Sequence, residues 1–278
     1  MTRPLVSFFV ITYLLAWTCW GAAAAISHAR VPANPVVAVL AGALFLLGTF
    51  APGIVALALT SHLEGRAATE ALVTRIFKAQ VGARWYVFAL AYMPAVKLSV
   101  AVLHREMTGQ WPRFGDEPWY LMAGAILIST WVQAGEEIGW RGYALPRLSS
   151  RAGLAPAGII LGVIWAAWHL PLFFFSPADT QGQSFPLYLM QVTAVSVAMA
   201  WLYWRTGGSL LLVMLLHASV NNTKDIVPSV VPGASNPLAL SPSLVAWLSL
   251  ALMWTAASYF LYRMRGTTLR TLGQNGEY

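Results

Sequence analysis

Charged residues are scarce in this sequence. They make up 10% of the 278 residues, whereas a soluble globular domain carries roughly 25%. Hydrophobic residues account for 58%, and the mean hydropathy is +0.63. So few charges cannot cover the surface of a water-soluble protein of this size, and the apolar residues must face lipid. The composition excludes a soluble globular enzyme and favours a single membrane-embedded domain over residues 1–278.

Cysteine is almost absent as well. Cys19 is the only one and lies inside the first apolar run, which excludes an intrachain disulfide and a cysteine-ligated metal site. The net charge of +7 does not indicate nucleic acid, because the basic residues lie in short connectors between apolar runs. Such connectors suit the anionic surface of a membrane. The expected partner is the lipid bilayer, with no nucleic acid.

Long apolar runs dominate the rest of the sequence. A membrane-spanning helix needs about 20 mostly apolar residues. Eight segments fit this length: 5–27, 35–60, 85–104, 119–146, 153–175, 185–204, 208–223 and 241–263. We therefore predict an all-α fold, a polytopic membrane helix bundle of about eight transmembrane helices. The short length of the chain favours a prokaryotic origin, so we expect the protein in a prokaryotic plasma membrane. The first run exceeds the roughly 7–15-residue core of a signal peptide, which favours a retained span.

The connector over residues 61–84 has an apolar stripe of its own. Leu72, Val73, Ile76 and Phe77 recur at helical spacing among charged residues. This pattern fits a short amphipathic helix on the membrane surface. An ordinary charged loop fits it equally well.

Ionisable side chains within a bilayer cost about 2.5–3.5 kcal/mol each on insertion scales, so each indicates a function. The fourth span contains Glu136, Glu137 and Arg141. Glu137 and Arg141 lie four residues apart and share a helix face, so we predict that they form an ion pair. Glu136 then lacks an in-helix cation, on the face of Gln133 and Trp140. A buried carboxylate without a fixed counter-ion suits a general acid or base, although a purely structural charge network is the alternative.

Two later spans contain histidines. In the fifth span, Trp165 precedes His169 by one turn, and Pro171 disturbs the helix just beyond. In the seventh, His217 and Asn221 share one face and offer the donors that an oxyanion hole uses. Either histidine alone could be a satisfied hydrogen-bonding residue between helices.

Together these motifs resemble the signature of the CAAX-protease and bacteriocin-processing family (Abi), which includes type II CAAX prenyl endopeptidases. The family pattern is Glu-Glu-x-x-x-Arg, Phe-x-x-x-His and His-x-x-x-Asn, in that order. Here the first is Glu136–Arg141, the third is His217–Asn221, and the second is Trp165–His169, with tryptophan in place of phenylalanine. The motifs occupy residues 133–222, within a core of about residues 119–223.

This resemblance implies an intramembrane endopeptidase that acts on a membrane-associated protein or peptide. Glu136 and His169 would activate a water, His217 and Asn221 would stabilise the oxyanion, and Glu137, Arg141 and Trp165 would support the geometry. Members have been described both as metalloproteases and as metal-independent glutamate proteases. No cofactor is favoured here; a zinc ion on Glu136, His169 and His217 stays possible.

Straight helices would not place these residues at one depth. Measured from the inner helix ends at 1.5 Å per residue, Glu136 and His217 lie at about 15 and 14 Å, and His169 at about 24 Å. A shared site therefore requires a tilted or broken helix, which Pro171 permits.

Two other classes of function remain open from the sequence. A proton-coupled membrane transporter could use the same residues as a relay, although no inverted repeat is visible. A non-catalytic membrane scaffold could keep the same fold.

The distribution of basic residues predicts that both termini are cytoplasmic. With the N-terminus inside, the inner segments contain Arg3, Arg66, Arg75, Lys78, Arg84, Arg141, Arg147, Arg151, Arg205, Arg263, Arg265 and Arg270, and the outer segments contain Arg30, Arg105, Arg113 and Lys224. This bias satisfies the positive-inside rule. Reporter fusions should place both termini and the 61–84 connector in the cytoplasm; an outward-facing C-terminus would contradict the orientation or the number of spans.

Overall fold

The computed structural model describes residues 3–28, 35–175, 180, 182–231 and 236–269. These residues are helical throughout their regular structure, with no strand among them. The helices are α1 (Arg3–His28), α2 (Pro35–Glu64), α3 (Arg66–Thr74), α4 (Ala83–Thr108), α5 (Trp119–Val132), α6 (Ala134–Glu137), α7 (Leu145–Ala152), α8 (Leu154–Trp168), α9 (Leu172–Phe175), α10 (Phe185–Arg205), α11 (Leu210–Thr223) and α12 (Leu244–Arg263). The predicted polytopic helix bundle is confirmed.

Six of the eight predicted spans are helical segments long and apolar enough to cross a membrane. They are α1, α2, α4, the α8–α9 segment Leu154–Phe174, α10 and α12. The two remaining spans, predicted over 119–146 and 208–223, differ from simple membrane helices, and both contain residues of the predicted site.

The fourth predicted span is an interrupted helix. After α5 the chain turns at Gln133, continues as α6, and then widens into a π-helical segment over Ile138–Ala144 before α7. A π-helix inserts an extra residue into the turn and is frequent at functional sites. A π-helical turn spaces side chains differently from an α-helix, so straight-helix spacing does not hold beyond Ile138.

The seventh predicted span is the 14-residue helix α11. At 1.5 Å per residue it is about 21 Å long, shorter than the roughly 30 Å hydrocarbon core of a bilayer. Most of its residues are buried, from Leu210 to Ser219 with the exception of the half-buried Leu211. The helix is thus an internal element of the bundle, enclosed by its neighbours.

Glycines allow α2 to touch the interrupted helix directly. An added Cβ at Gly139 would lie 2.5 Å from the carbonyl oxygen of Pro52, and one at Gly53 would lie 2.8 Å from that of Gly135. Small residues that let backbones approach closely are typical of membrane helix interfaces. This contact fixes the position of the segment that carries Glu136 and Glu137.

The helix predicted in the 61–84 connector is present as α3, followed by a 3₁₀ turn over Arg75–Phe77. Leu72 and Ile76 are buried, whereas Phe77 is exposed. The apolar stripe therefore packs mainly against the bundle, where Leu72 faces Gly142.

The connectors that contain most basic residues meet at one end of the bundle. Arg147 bonds Glu64 there, Arg75 bonds Tyr203, and Lys78 donates to the carbonyl oxygen of Gly207. We call this end the basic face. Arg141 is an exception. The sequence places it in an inner segment, but its side chain is fully buried within the bundle.

The opposite end of the bundle is closed by other connectors. The amide of Gly115 donates to the carbonyl oxygen of Ile226, and the amide of Phe185 donates to that of Pro237. We call this end the opposite face.

Candidate active site

A cavity of about 430 Å³ lies between the helices and brings the predicted catalytic residues together. Glu136 from α6, His169 at the end of α8, and His217 and Asn221 from α11 all line it, as does Trp165. Glu137 and Arg141 do not line the cavity. The four residues predicted to act on substrate thus share one space, and two of the three supporting residues lie behind it.

The predicted ion pair between Glu137 and Arg141 is present and has a third member. Arg141 Nη1 lies 2.8 and 3.0 Å from the two carboxylate oxygens of Glu137, and both side chains are 0% exposed. His217 Nδ1 lies 2.8 Å from Glu137 Oε1. A single buried carboxylate therefore joins the π-helical segment to α11, a contact that the sequence did not reveal.

Trp165 holds the other glutamate. Its indole Nε1 donates to Glu136 Oε2 at 2.7 Å. Among the described residues, no other hydrogen bond to the Glu136 carboxylate is found, so one oxygen is held and the other is left to the cavity. The Arg141 guanidinium carbon lies 4.2 Å from the centroid of the Trp165 ring, a cation–π distance.

Both histidines pack edge-on against Trp165. The ring centroids are 5.8 Å apart for His169 and 5.1 Å for His217. Sequence spacing predicted the contact with His169 only. Trp165 therefore contacts both imidazoles as well as Glu136 and Arg141, so this indole organises the whole site.

The hydrogen bonds of the histidines determine their tautomers. His169 Nδ1 lies 2.9 Å from the carbonyl oxygen of Trp165, which can only accept, so Nδ1 carries the proton. In a neutral imidazole, Nε2 is then left as an acceptor. The same reasoning places a proton on Nδ1 of His217, which faces the Glu137 carboxylate.

The two asparagines at the end of α11 differ. Asn222 donates to Ser129 Oγ at 2.8 Å and to the carbonyl oxygen of Ala218 at 2.7 Å, which fixes its amide. Asn221 has an exposed side chain that lines the cavity. Only Asn221 is thus placed to donate to a group inside the cavity.

Residues expected at different depths from straight helices line one cavity, and two of the helices that contain them are interrupted. Glu136 lies in α6, between the interruption at Gln133 and the π-helical segment. Helix α8 ends at Trp168, three residues before Pro171, so His169 lies in the turn that follows. Gln133 lines the cavity beside Glu136, whereas Trp140, expected on the same face, is fully buried elsewhere.

Zinc binding would require Glu136, His169 and His217 to lie together as ligands of one ion. Within residues 3–269, apart from the gaps in the described ranges, no three His, Cys, Asp or Glu side chains are grouped as metal ligands. Glu136, His169 and His217 share the cavity but are spaced around Trp165. These three side chains are therefore not grouped as metal ligands in this conformation, and no catalytic step is assigned to a metal.

The cavity extends toward the opposite face of the bundle. Its lining includes Gln183, Lys224, Asp225 and Ser229, which belong to connectors at that end. No lining residue comes from the connectors of the basic face.

Sequence reasoning did not assign Lys97 to the site. Its side chain is 4% exposed and lines the cavity. The available signal was a lysine in the middle of the third predicted span, since an intramembrane cation indicates function. No short motif surrounds it.

Comparison with known proteins agrees with the arrangement of the motifs. Residues 118–223 match the family model described as type II CAAX prenyl endopeptidase Rce1-like. The chain is also similar to CAAX prenyl protease 2 of Methanococcus maripaludis, with 23% identity over 235 residues, which cover 80% of this chain and 82% of that protein. The matched residues contain Glu136, His169, His217 and Asn221. The resemblance seen in the sequence is thereby confirmed: residues 118–223 of this membrane protein, which contain all three motifs, are similar to the Rce1-like CAAX endopeptidases.

Proposed function

We propose that this protein is an intramembrane endopeptidase that hydrolyses a peptide bond of a membrane-associated protein or peptide. The observation that supports this most strongly is the division of the two adjacent glutamates. Glu137 is fully buried and engaged by Arg141 and His217, whereas Glu136 lines the cavity with one oxygen held by Trp165. The protease class follows from the matched family domain.

In the proposed reaction, a water molecule between Glu136 and His169 attacks the scissile carbonyl carbon. Glu136 takes a proton from this water as the new C–O bond forms, and Trp165 keeps the carboxylate oriented. His169 Nε2 accepts a hydrogen bond from the same water. The proton is later given to the leaving amine as the C–N bond breaks, so no group outside the site is consumed.

The negative charge that develops on the carbonyl oxygen requires donors. The side-chain amide of Asn221 provides one. His217 provides another in the form that carries a proton on Nε2 as well as on Nδ1, which lies 2.8 Å from Glu137 Oε1. These donors act on charge that is largest in the transition state, so they favour turnover over ground-state binding.

The side of the membrane to which the cavity opens bears on the choice of substrates to assay. Because the cavity extends toward the face opposite the basic one, the predicted orientation opens it to the extracytoplasmic side. The name of the Methanococcus relative makes prenylated peptides a first assay substrate, alongside a general peptide library. The transporter and scaffold alternatives receive no support from the family match.

Glu136→Gln and Glu137→Gln should have different effects. Glu136→Gln removes the base and should abolish peptide cleavage while the protein stays folded and monodisperse in detergent. Glu137→Gln leaves Arg141 buried without its counter-ion and should destabilise the protein by about 3–5 kcal/mol. Cleavage assays and thermal unfolding of both variants test this; substantial activity in Glu136→Gln would remove it as the base.

Asn221→Ala should lower kcat by about 10²–10³ with little change in KM, as expected for the loss of an oxyanion donor. The matched control is Asn222→Ala, whose amide is tied to Ser129 and Ala218. That variant should change the unfolding temperature more than kcat. An equal loss of kcat in both variants would argue for a shared structural role.

Activity should survive prolonged dialysis against a strong chelator, because the proposed water is activated by side chains alone. Metal analysis of the purified active protein should find no stoichiometric metal. Loss of activity on chelation followed by recovery on zinc addition would instead establish a metalloprotease.

A further inference from the structure

Lys97 is a buried cation that the proposed reaction does not use. It lies in the middle of α4, and its side chain is 4% exposed. A charged group within a membrane span is expensive and is retained where it has a partner or a function. The side chain lines the same cavity as Glu136 and His169, so any substrate in the cavity meets this cation.

The contacts of Lys97 are to neutral acceptors. Its Nζ donates to the carbonyl oxygen of Val227 at 3.1 Å and lies 3.4 Å from Ser249 Oγ. An ammonium group has three N–H donors, so one remains without an acceptor among the described residues. No ion pair of the described part includes Lys97.

Other charged groups near the opening do not neutralise it. Lys224 and Asp225 line the cavity beside the connector after α11. Asp225 is exposed and forms no ion pair with Lys97; it attracts the ammonium from a distance, and the charge of Lys224 opposes this attraction. Of the two lysines that line the cavity, Lys97 is thus the buried one, whereas Lys224 is half-buried.

We infer that Lys97 is a specificity-determining residue that binds a carboxylate of the peptide substrate. This inference rests on the proposed endopeptidase function and adds the chemistry of the substrate. The substrate has an anionic group that contacts Lys97 while its scissile bond lies beside Glu136. At about 430 Å³ the cavity is of the size that binds small ligands, so it holds a short stretch of peptide. Two groups of a peptide have the required chemistry, the terminal carboxylate and an acidic side chain.

The inference is tested with matched peptides. A peptide that the wild-type protein cleaves is prepared with a free terminal carboxylate, with a terminal carboxamide, and with each acidic side chain replaced by its amide. Wild-type protein should cleave the form with the recognised carboxylate about 10–100-fold more efficiently in kcat/KM, the range of a charge-assisted hydrogen bond. The peptide form whose kcat/KM decreases identifies which carboxylate Lys97 binds.

In Lys97→Met the ratio of kcat/KM between the carboxylate and amide peptides should fall to near one. The kcat/KM of the carboxylate peptide should decrease, and that of the amide peptide should stay unchanged. Lys97→Arg should keep part of the preference, since it keeps the charge. Lys224→Met, which removes a cation from the same lining, and Ser249→Ala, which removes a neutral contact of Lys97, should both keep the preference. A role of Lys97 in packing alone would lower cleavage of acid and amide peptides equally.

Binding separates this inference from the proposed function. The Kd values of the acid and amide peptides for Glu136→Gln should show the same ratio without turnover, and the ratio should disappear in the double variant with Lys97→Met. Equal cleavage and equal binding of all peptide forms by protein with Lys97 intact would overturn the role of Lys97 and leave the endopeptidase intact. Selective binding without cleavage by wild-type protein would support Lys97 and contradict the proposed reaction.

Discussion

The buried carboxylate of Glu137 is the constraint on which the site depends. It accepts hydrogen bonds from Arg141 and faces His217, with no exposure to solvent. A buried charge is tolerated only where it is paired, because an unpaired one in an apolar interior costs several kcal/mol. This requirement joins the π-helical segment to α11, and the orientation of His217 follows from it. The adjacent Glu136 then occupies the cavity because the helix turns its side chain away from this network.

Trp165 connects α8, the third helix of the site, to the residues around Glu137. Its ring lies beneath the Arg141 guanidinium, contacts both imidazoles edge-on, and directs its N–H to Glu136. A phenylalanine could make the ring contacts but has no donor for the carboxylate. The tryptophan at this position therefore adds a hydrogen bond, which holds one oxygen of Glu136 and leaves the other toward the cavity.

Much of this arrangement could be predicted from the sequence, and the remainder could not, for physical reasons. Apolar run length predicts spanning helices well, and i, i+4 spacing predicted the Glu137–Arg141 pair. Contacts between helices, such as His217 with Glu137 and Trp165 with Glu136, depend on packing and leave no local pattern. The interruption at Gln133 was missed because neither proline nor a clear turn motif marks it. Lys97 was missed because a lone cation has no periodicity.

The central claim is that Glu136 activates water and does not itself attack the substrate. A single turnover with enzyme in excess, run in H₂¹⁸O, tests this directly by mass spectrometry of the products and of the Glu136-containing peptide. Direct attack by water should place one ¹⁸O in the new carboxylate of the product and none in Glu136. A nucleophilic carboxylate would form an acyl intermediate. Formation of a peptide hydroxamate when hydroxylamine is added, or ¹⁸O in Glu136 that appears only with substrate, would therefore contradict the account.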